Sequence, residues 1–136
     1  MREIDKIKVR DVMRDSVTMV DGSMDVREAL RVMKADKTTS LIIKKRDDGD
    51  EYGMVLLSDV AKQVIAKDRA PERVNAFEIM AKPVISVRPD MSIRHCARLF
   101  ENHGISTAPV IDGQDVVGVV SYYLLVIGAI EEMEGL

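Results

Sequence analysis

The chain has 136 residues, 46% of them hydrophobic and 32% charged, with a formal charge of −3. That is the size and apolar content of one ordinary folded domain, and it excludes a disordered chain. Acids and bases are interspersed without a basic stripe, which argues against a nucleic-acid surface, and Cys96 as the single cysteine excludes an intrachain disulfide.

In chain order, residues 1–9 alternate charge with isoleucine and offer no apolar leader segment. Residues 16–20 read as a short strand. Residues 25–34 read as an amphipathic helix with the apolar stripe Val26, Ala29, Leu30 and Met33, and Asp25 followed by Glu28 has capping-box spacing. A buried strand at 39–44, a hairpin turn at Asp47-Asp48-Gly49-Asp50, a returning strand at 52–57 and a helix at 58–67 follow. Pro71 punctuates the chain.

The series then starts again. Residues 84–87 read as a strand and 92–102 as a helix capped by Ser92, with the stripe Ile93, Cys96, Ala97 and Phe100. Strands at 107–111 and 116–120 flank the hairpin signal Asp112-Gly113, and 122–134 read as the closing helix. The longest apolar run, 116–130, is shorter than the roughly 20 residues that a membrane-spanning helix needs, so a cytoplasmic protein is expected. The nine methionines are dispersed over apolar faces and read as core filler.

The two series are one repeat. Asp11-Val12-Met13 is echoed by Glu78-Ile79-Met80, a shift of 67 (80 minus 13). Beyond the hairpin the shift is 65 (118 minus 53, for Gly53 and Gly118), because the first copy has two extra loop residues. An accident would not preserve an apolar stripe on both sides of a loop. A copy of roughly 60 residues buries little surface alone. The expectation is therefore an α/β module of two pseudo-symmetric β-α-β-β-α repeats, 8–70 and 71–136, packed through their sheets.

Three stretches carry a family likeness: the segment His103-Gly104-Ile105-Ser106-Thr107-Ala108-Pro109-Val110, the segment Gly53-Met54-Val55-Leu56-Leu57-Ser58-Asp59, and the Val12-Met13 and Ile79-Met80 openings. With the tandem element order they resemble the CBS domain pair (cystathionine β-synthase domains), or Bateman module, over residues 8–128. The resemblance implies regulatory binding of an adenosine-containing ligand such as AMP, ADP or ATP in clefts between the repeats, with no obligatory cofactor. It implies that Asp59 holds the ribose hydroxyls, that Val84, Ile85, Ile105 and Pro109 enclose the base beside Met54, and that Ser106 and Thr107 face the phosphates. Leu56 stands where the family has Ser or Thr, so one phosphate hydroxyl is missing. The second cleft, by the same resemblance, is lined by Val17, Thr18, Thr38, Thr39, Ser40 and Ser121. Leu124 replaces its carboxylate and Ile42 replaces the proline, so it is expected to bind weakly.

Structural roles compete with these. An acid in a helix's first turn is favourable by about 0.3–1 kcal/mol, which is one role for Asp59, with Ser58 as the natural cap. Pro109 also suits the start of a strand. His95, Cys96 and His103 lack the spacing of a zinc site, with His103 expected past the helix end, and no metal is expected. No nucleophile elbow, P-loop or Gly-x-Gly-x-x-Gly occurs, so no catalysis is expected. No effector domain is recognised on the chain, so the expected output runs through an effector protein or self-association. Tyr122, Leu125, Val126, Ala129 and Ile130 give the last helix more apolar surface than one small core uses, which points to a homodimer, as the resemblance also implies. The rival readings are a scaffold with empty clefts and an enzyme with an unrecognised site.

Overall fold

The apolar stripes read in the sequence bury as expected. A computed structural model describes residues 3–135, which divide into two compact units, Thr18–Val84 and residues 3–17 with 85–135.

The unit Thr18–Val84 holds β1 (Met19–Val20), α2 (Val26–Asp36), β2 (Ser40–Ile43), β3 (Gly53–Leu56), α3 (Leu57–Val60) and α4 (Ala76–Ile79), where α1 is the short helix Val9–Val12 of the other unit. β1 runs parallel to β2, with Met19 opposite Ile42, and β2 is antiparallel to β3, with Ser40 opposite Leu56. The Asp25 carboxylate caps α2 by accepting the Glu28 N–H at 2.9 Å, a contact that typically stabilises by about 1 kcal/mol. α3 widens after one turn into a π-helical turn, Ala61–Ile65, where the sequence predicts one helix over 58–67.

The other unit holds α1, α5 (Ile93–His103), β4 (Thr107–Asp112), β5 (Asp115–Ser121) and α6 (Tyr122–Glu134), with β4 and β5 antiparallel. Ser92 caps α5 as predicted, accepting the His95 N–H at 3.2 Å. His103 is the last residue of α5, not a residue beyond it. The strand predicted over 84–87 is reduced to one parallel bridge, Val87 to Val110. Its counterpart in the first unit is Val20 to Ile43, shifted by 67 (87 minus 20).

The repeat reaches into both cores. Among the described residues each core cluster has twelve buried members, and every one has its counterpart at a shift of 67 or 65: Ile7 and Val74, Val12 and Ile79, Met33 and Phe100, Val55 and Val120, Val64 and Ala129 among them. Fully burying the Val, Ile, Leu, Met and Phe side chains among them contributes about 1.5–3 kcal/mol each. The compact units are offset from the sequence repeats. Arg14 of the first copy bridges Val119 of the second, and Ala81 of the second bridges Met54 of the first. Each copy's opening segment thus completes the unit that holds the other copy's strands.

Candidate functional site

Asp59 stands in the first turn of α3, half-buried, because β3 runs straight into the helix at Leu56. One carboxylate oxygen accepts the Leu56 N–H at 2.8 Å, satisfying a donor that the helix start leaves unpaired. The cap residue is therefore Leu56, not Ser58, and the side chain of Leu56 adds no polar contact. In the same unit Met54 is buried at 4% exposure, held in backbone pairing with Ala81, and Val84 is half-buried.

In the other unit Ile105 is half-buried and packs on the core, Ser106 is exposed, and Thr107 opens β4. Ile85 is 36% exposed, whereas Pro109 is fully buried inside β4 rather than at its start. Pro109 has a specific effect on its neighbour. In the first copy the Ile42 N–H donates to the Thr18 carbonyl at 2.9 Å. Pro109 and Ile85 occupy the matching positions, and proline has no N–H to give. Among the described residues the Ile85 carbonyl accepts no hydrogen bond.

The hydroxyls expected in the second cleft are engaged locally. Thr18 donates to Asp36 at 2.8 Å, Thr38 donates to the Ser40 carbonyl at 3.1 Å, and Ser121 accepts the Leu124 N–H at 3.3 Å as the cap of α6. Thr39 is exposed, Val17 half-buried and Ser40 buried.

A groove of about 850 Å³ lies within the unit Thr18–Val84, lined by Ile43, Phe77, Met80 and Pro83 with Lys44, Arg46, Lys82, Asp21 and Glu51 at its polar edges. None of the predicted ligand residues lines it. Beside it the Asp50 carboxylate accepts from the Lys82 ammonium at 2.5 Å and from the Arg46 N–H at 2.9 Å. The Lys82 contact first, and the Arg46 contacts after it, hold the Asp50 carboxyl well below the usual carboxylate range. This pair was not legible in the sequence, because its members lie on opposite sides of β3 and α3.

Among the described residues no group of three or more His, Cys, Asp or Glu side chains is placed to hold a metal ion. No helix among them is long and apolar enough to cross a membrane.

The CBS domain family profile matches residues 9–66 and 76–126, both copies of the repeat. The chain belongs to the CBS domain family. A hexameric CBS-CP12 protein from bloom-forming cyanobacteria is 31% identical, with a TM-score of 0.89 over 93% of this chain and 73% of that one. The CBS domain-containing protein YhcV of Bacillus subtilis is 26% identical over 83% of this chain and 79% of its own length. A homoserine O-acetyltransferase of Methanosalsum zhilinae is 32% identical over 86% of this chain, yet the match spans 23% of that enzyme. A CBS domain pair solved in complex with 5′-methylthioadenosine and S-adenosyl-L-methionine shares the fold, at 24% identity and a TM-score of 0.74 over 94% of this chain and 95% of that one.

Proposed function

We propose that this CBS pair is a cytoplasmic regulatory module that binds an adenosine-containing small molecule and passes its occupancy on through an effector protein or self-association, without catalysing a reaction. The observation that carries the reading is Asp59: one oxygen caps its helix, and among the described residues nothing bonds to the other. A fixed carboxylate with an unused oxygen suits a ribose diol, which donates two hydroxyl hydrogens. The unbonded Ile85 carbonyl supplies an acceptor for an exocyclic amine, as adenine presents. Met54, Val84, Ile105 and Pro109 provide apolar surface for the base, and Ser106 and Thr107 provide hydroxyls for the polar end.

The solved relative with 5′-methylthioadenosine and S-adenosyl-L-methionine supports an adenosine ligand as a class. Leu56 removes a hydroxyl from the phosphate side, so the favoured ligand carries fewer phosphates than ATP. The local bonds of Thr18, Thr38 and Ser121, together with Leu124 in place of an acid, support a single competent site. For self-association, α6 exposes Tyr123 at 71% and Val126 at 59%, and the CBS-CP12 relatives are hexameric.

The test is thermal unfolding against adenosine, 5′-methylthioadenosine, AMP, ADP, ATP, S-adenosylmethionine and NAD, with Asp59→Asn alongside. Asn keeps an acceptor for the Leu56 N–H and removes the charge, so it separates the ligand role from the cap. A ligand at 100 times its Kd stabilises by about 2.7 kcal/mol, enough to raise the midpoint by several degrees. The expected result is a shift for at least one compound that Asp59→Asn abolishes. Flat midpoints for all of them at millimolar concentration would instead favour a scaffold without ligand.

A further inference from the structure

Residues 82–86 connect the end of one unit to the start of the other and carry Val84 and Ile85, both assigned above to the base. Among the described residues they make no backbone hydrogen bond. Among the described residues their one polar contact is the Lys82 ammonium on Asp50. The Asp50 side chain is 8% exposed and that of Lys82 is 21% exposed, so the pair is largely shielded from water and from salt.

The carboxylate is held from both sides. One oxygen, Oδ2, accepts the Arg46 backbone N–H at 2.9 Å and the Arg46 Nε at 3.2 Å, which fixes it inside the hairpin loop. The other, Oδ1, meets Lys82. The loop is itself tied by the Asp50 N–H to the Asp47 carbonyl and by the Gly49 N–H to the Asp47 carboxylate. This is the loop that carries the two extra residues of the first copy.

The pseudo-symmetry supplies an internal control. The counterpart of Asp50 is Asp115 (115 minus 50 is 65), and that of Lys82 is Asp15 (82 minus 15 is 67). Two acids cannot form the pair. The counterpart of Val84 is Val17 (84 minus 17 is 67), a residue of the cleft expected to bind weakly. There the chain is held differently, through the Thr18 carbonyl that accepts the Ile42 N–H. Pro109 removes that bond from the second copy, where among the described residues the segment 84–87 pairs in the ladder only at Val87.

We infer that the Asp50–Lys82 ion pair is a positioning device that replaces the ladder bond lost at Pro109 and fixes residues 82–86 for ligand binding. It rests on the ligand reading above for its purpose, although its structural half stands without any ligand. Asp50 and Lys82 are positioning residues: they act through Val84 and Ile85.

Hydrogen–deuterium exchange of the free protein, combined with calorimetric titration of AMP and S-adenosylmethionine, tests it. Asp50→Asn is expected to speed amide exchange by about tenfold at Ala81 and Val87, the hydrogen-bonded amides on either side of residues 82–86, the effect of losing one charge-assisted contact, while α2 and α5 keep their protection. Affinity for whichever of the two compounds the native protein binds should fall by a similar factor. The charge-exchanged Asp50→Lys/Lys82→Asp protein should recover part of both. Asp115→Asn should change neither. If Asp50→Asn fails to fold, Lys82→Gln probes the same contact from its more exposed end. Unchanged exchange at Ala81 and Val87 in the folded variant overturns the inference, and so does faster exchange with unchanged affinity. If the native protein binds neither compound, the titration uses whichever compound of the thermal panel shifts the midpoint; if none does, the ligand reading fails on its own, and exchange alone decides whether the ion pair is the anchor.

Discussion

Cys96 lies at 0% exposure on the buried face of α5, and burial pushes its thiol up to about 11 from an ordinary value of 9.0. A buried thiolate is penalised because it has lost its hydration, so the folded state keeps the proton. The folded value lies above the unfolded one. Its contribution to stability is therefore fully present below pH 9 and is lost as pH rises through 11. Native protein at pH 8 should resist iodoacetamide and react fully once unfolded in urea. Rapid alkylation under native conditions would contradict the burial. Asp50 shows the opposite use of an ionisable group, because the Lys82 and Arg46 donors around it favour its charged form. The place of Asp59 in the first turn of α3 was legible from the Gly53–Asp59 segment. Asp50 was legible only as a turn residue, since nothing local to the hairpin tells it that Lys82 will lie beside it.

At the scale of elements, α1 and α6 approach closely. A Cβ built at Gly128 would lie 2.5 Å from Val12 Cγ1 and 2.6 Å from Val12 Cβ, far inside contact distance. An exposed helical glycine replaced by alanine gains roughly 1 kcal/mol in helix propensity. Here overpacking, at about 1–3 kcal/mol, outweighs that gain. Gly128→Ala should lower the thermal midpoint measured by circular dichroism, and adding Val12→Ala should recover part of the loss; a higher midpoint for the single variant would refute the close approach. The helices α2 and α5 were legible because stripe and cap agree: Asp25 and Ser92 cap them in the structure as in the sequence. The strand over 84–87 was not, because its apolar residues favour extended chain but Pro109 denies them a ladder donor. The exchange of opening segments was not legible either. Apolar periodicity says that Val12 and Ile79 are buried, and it is silent on which sheet covers them.

At the scale of the whole molecule, the two cores share twelve matched positions, but the last helix breaks the symmetry. In the first copy the chain leaves α3 through one π-helical turn, whereas α6 runs for 13 residues. Leu125 and Ala129 face the core, and Tyr122, Tyr123, Val126, Ile127 and Ile130 are all 40% exposed or more. Positions 122, 126 and 130 recur every four residues, so they form one continuous strip along the helix. A strip of that kind in water is unfavourable by about 25 cal/mol for each Å² of apolar surface left uncovered. A second copy of the chain offers the same strip, and pairing about a two-fold axis brings the two together with no other partner required. Sedimentation velocity should therefore show a dimer or larger assembly at micromolar concentration. Val126→Glu and Ile130→Glu place carboxylates in the strip without touching Leu125 or Ala129, and should yield a folded monomer with the native circular dichroism spectrum. A native chain that sediments as a monomer across that range would assign the strip to a different protein. A glutamate pair that stays assembled would place the self-association surface elsewhere on the chain.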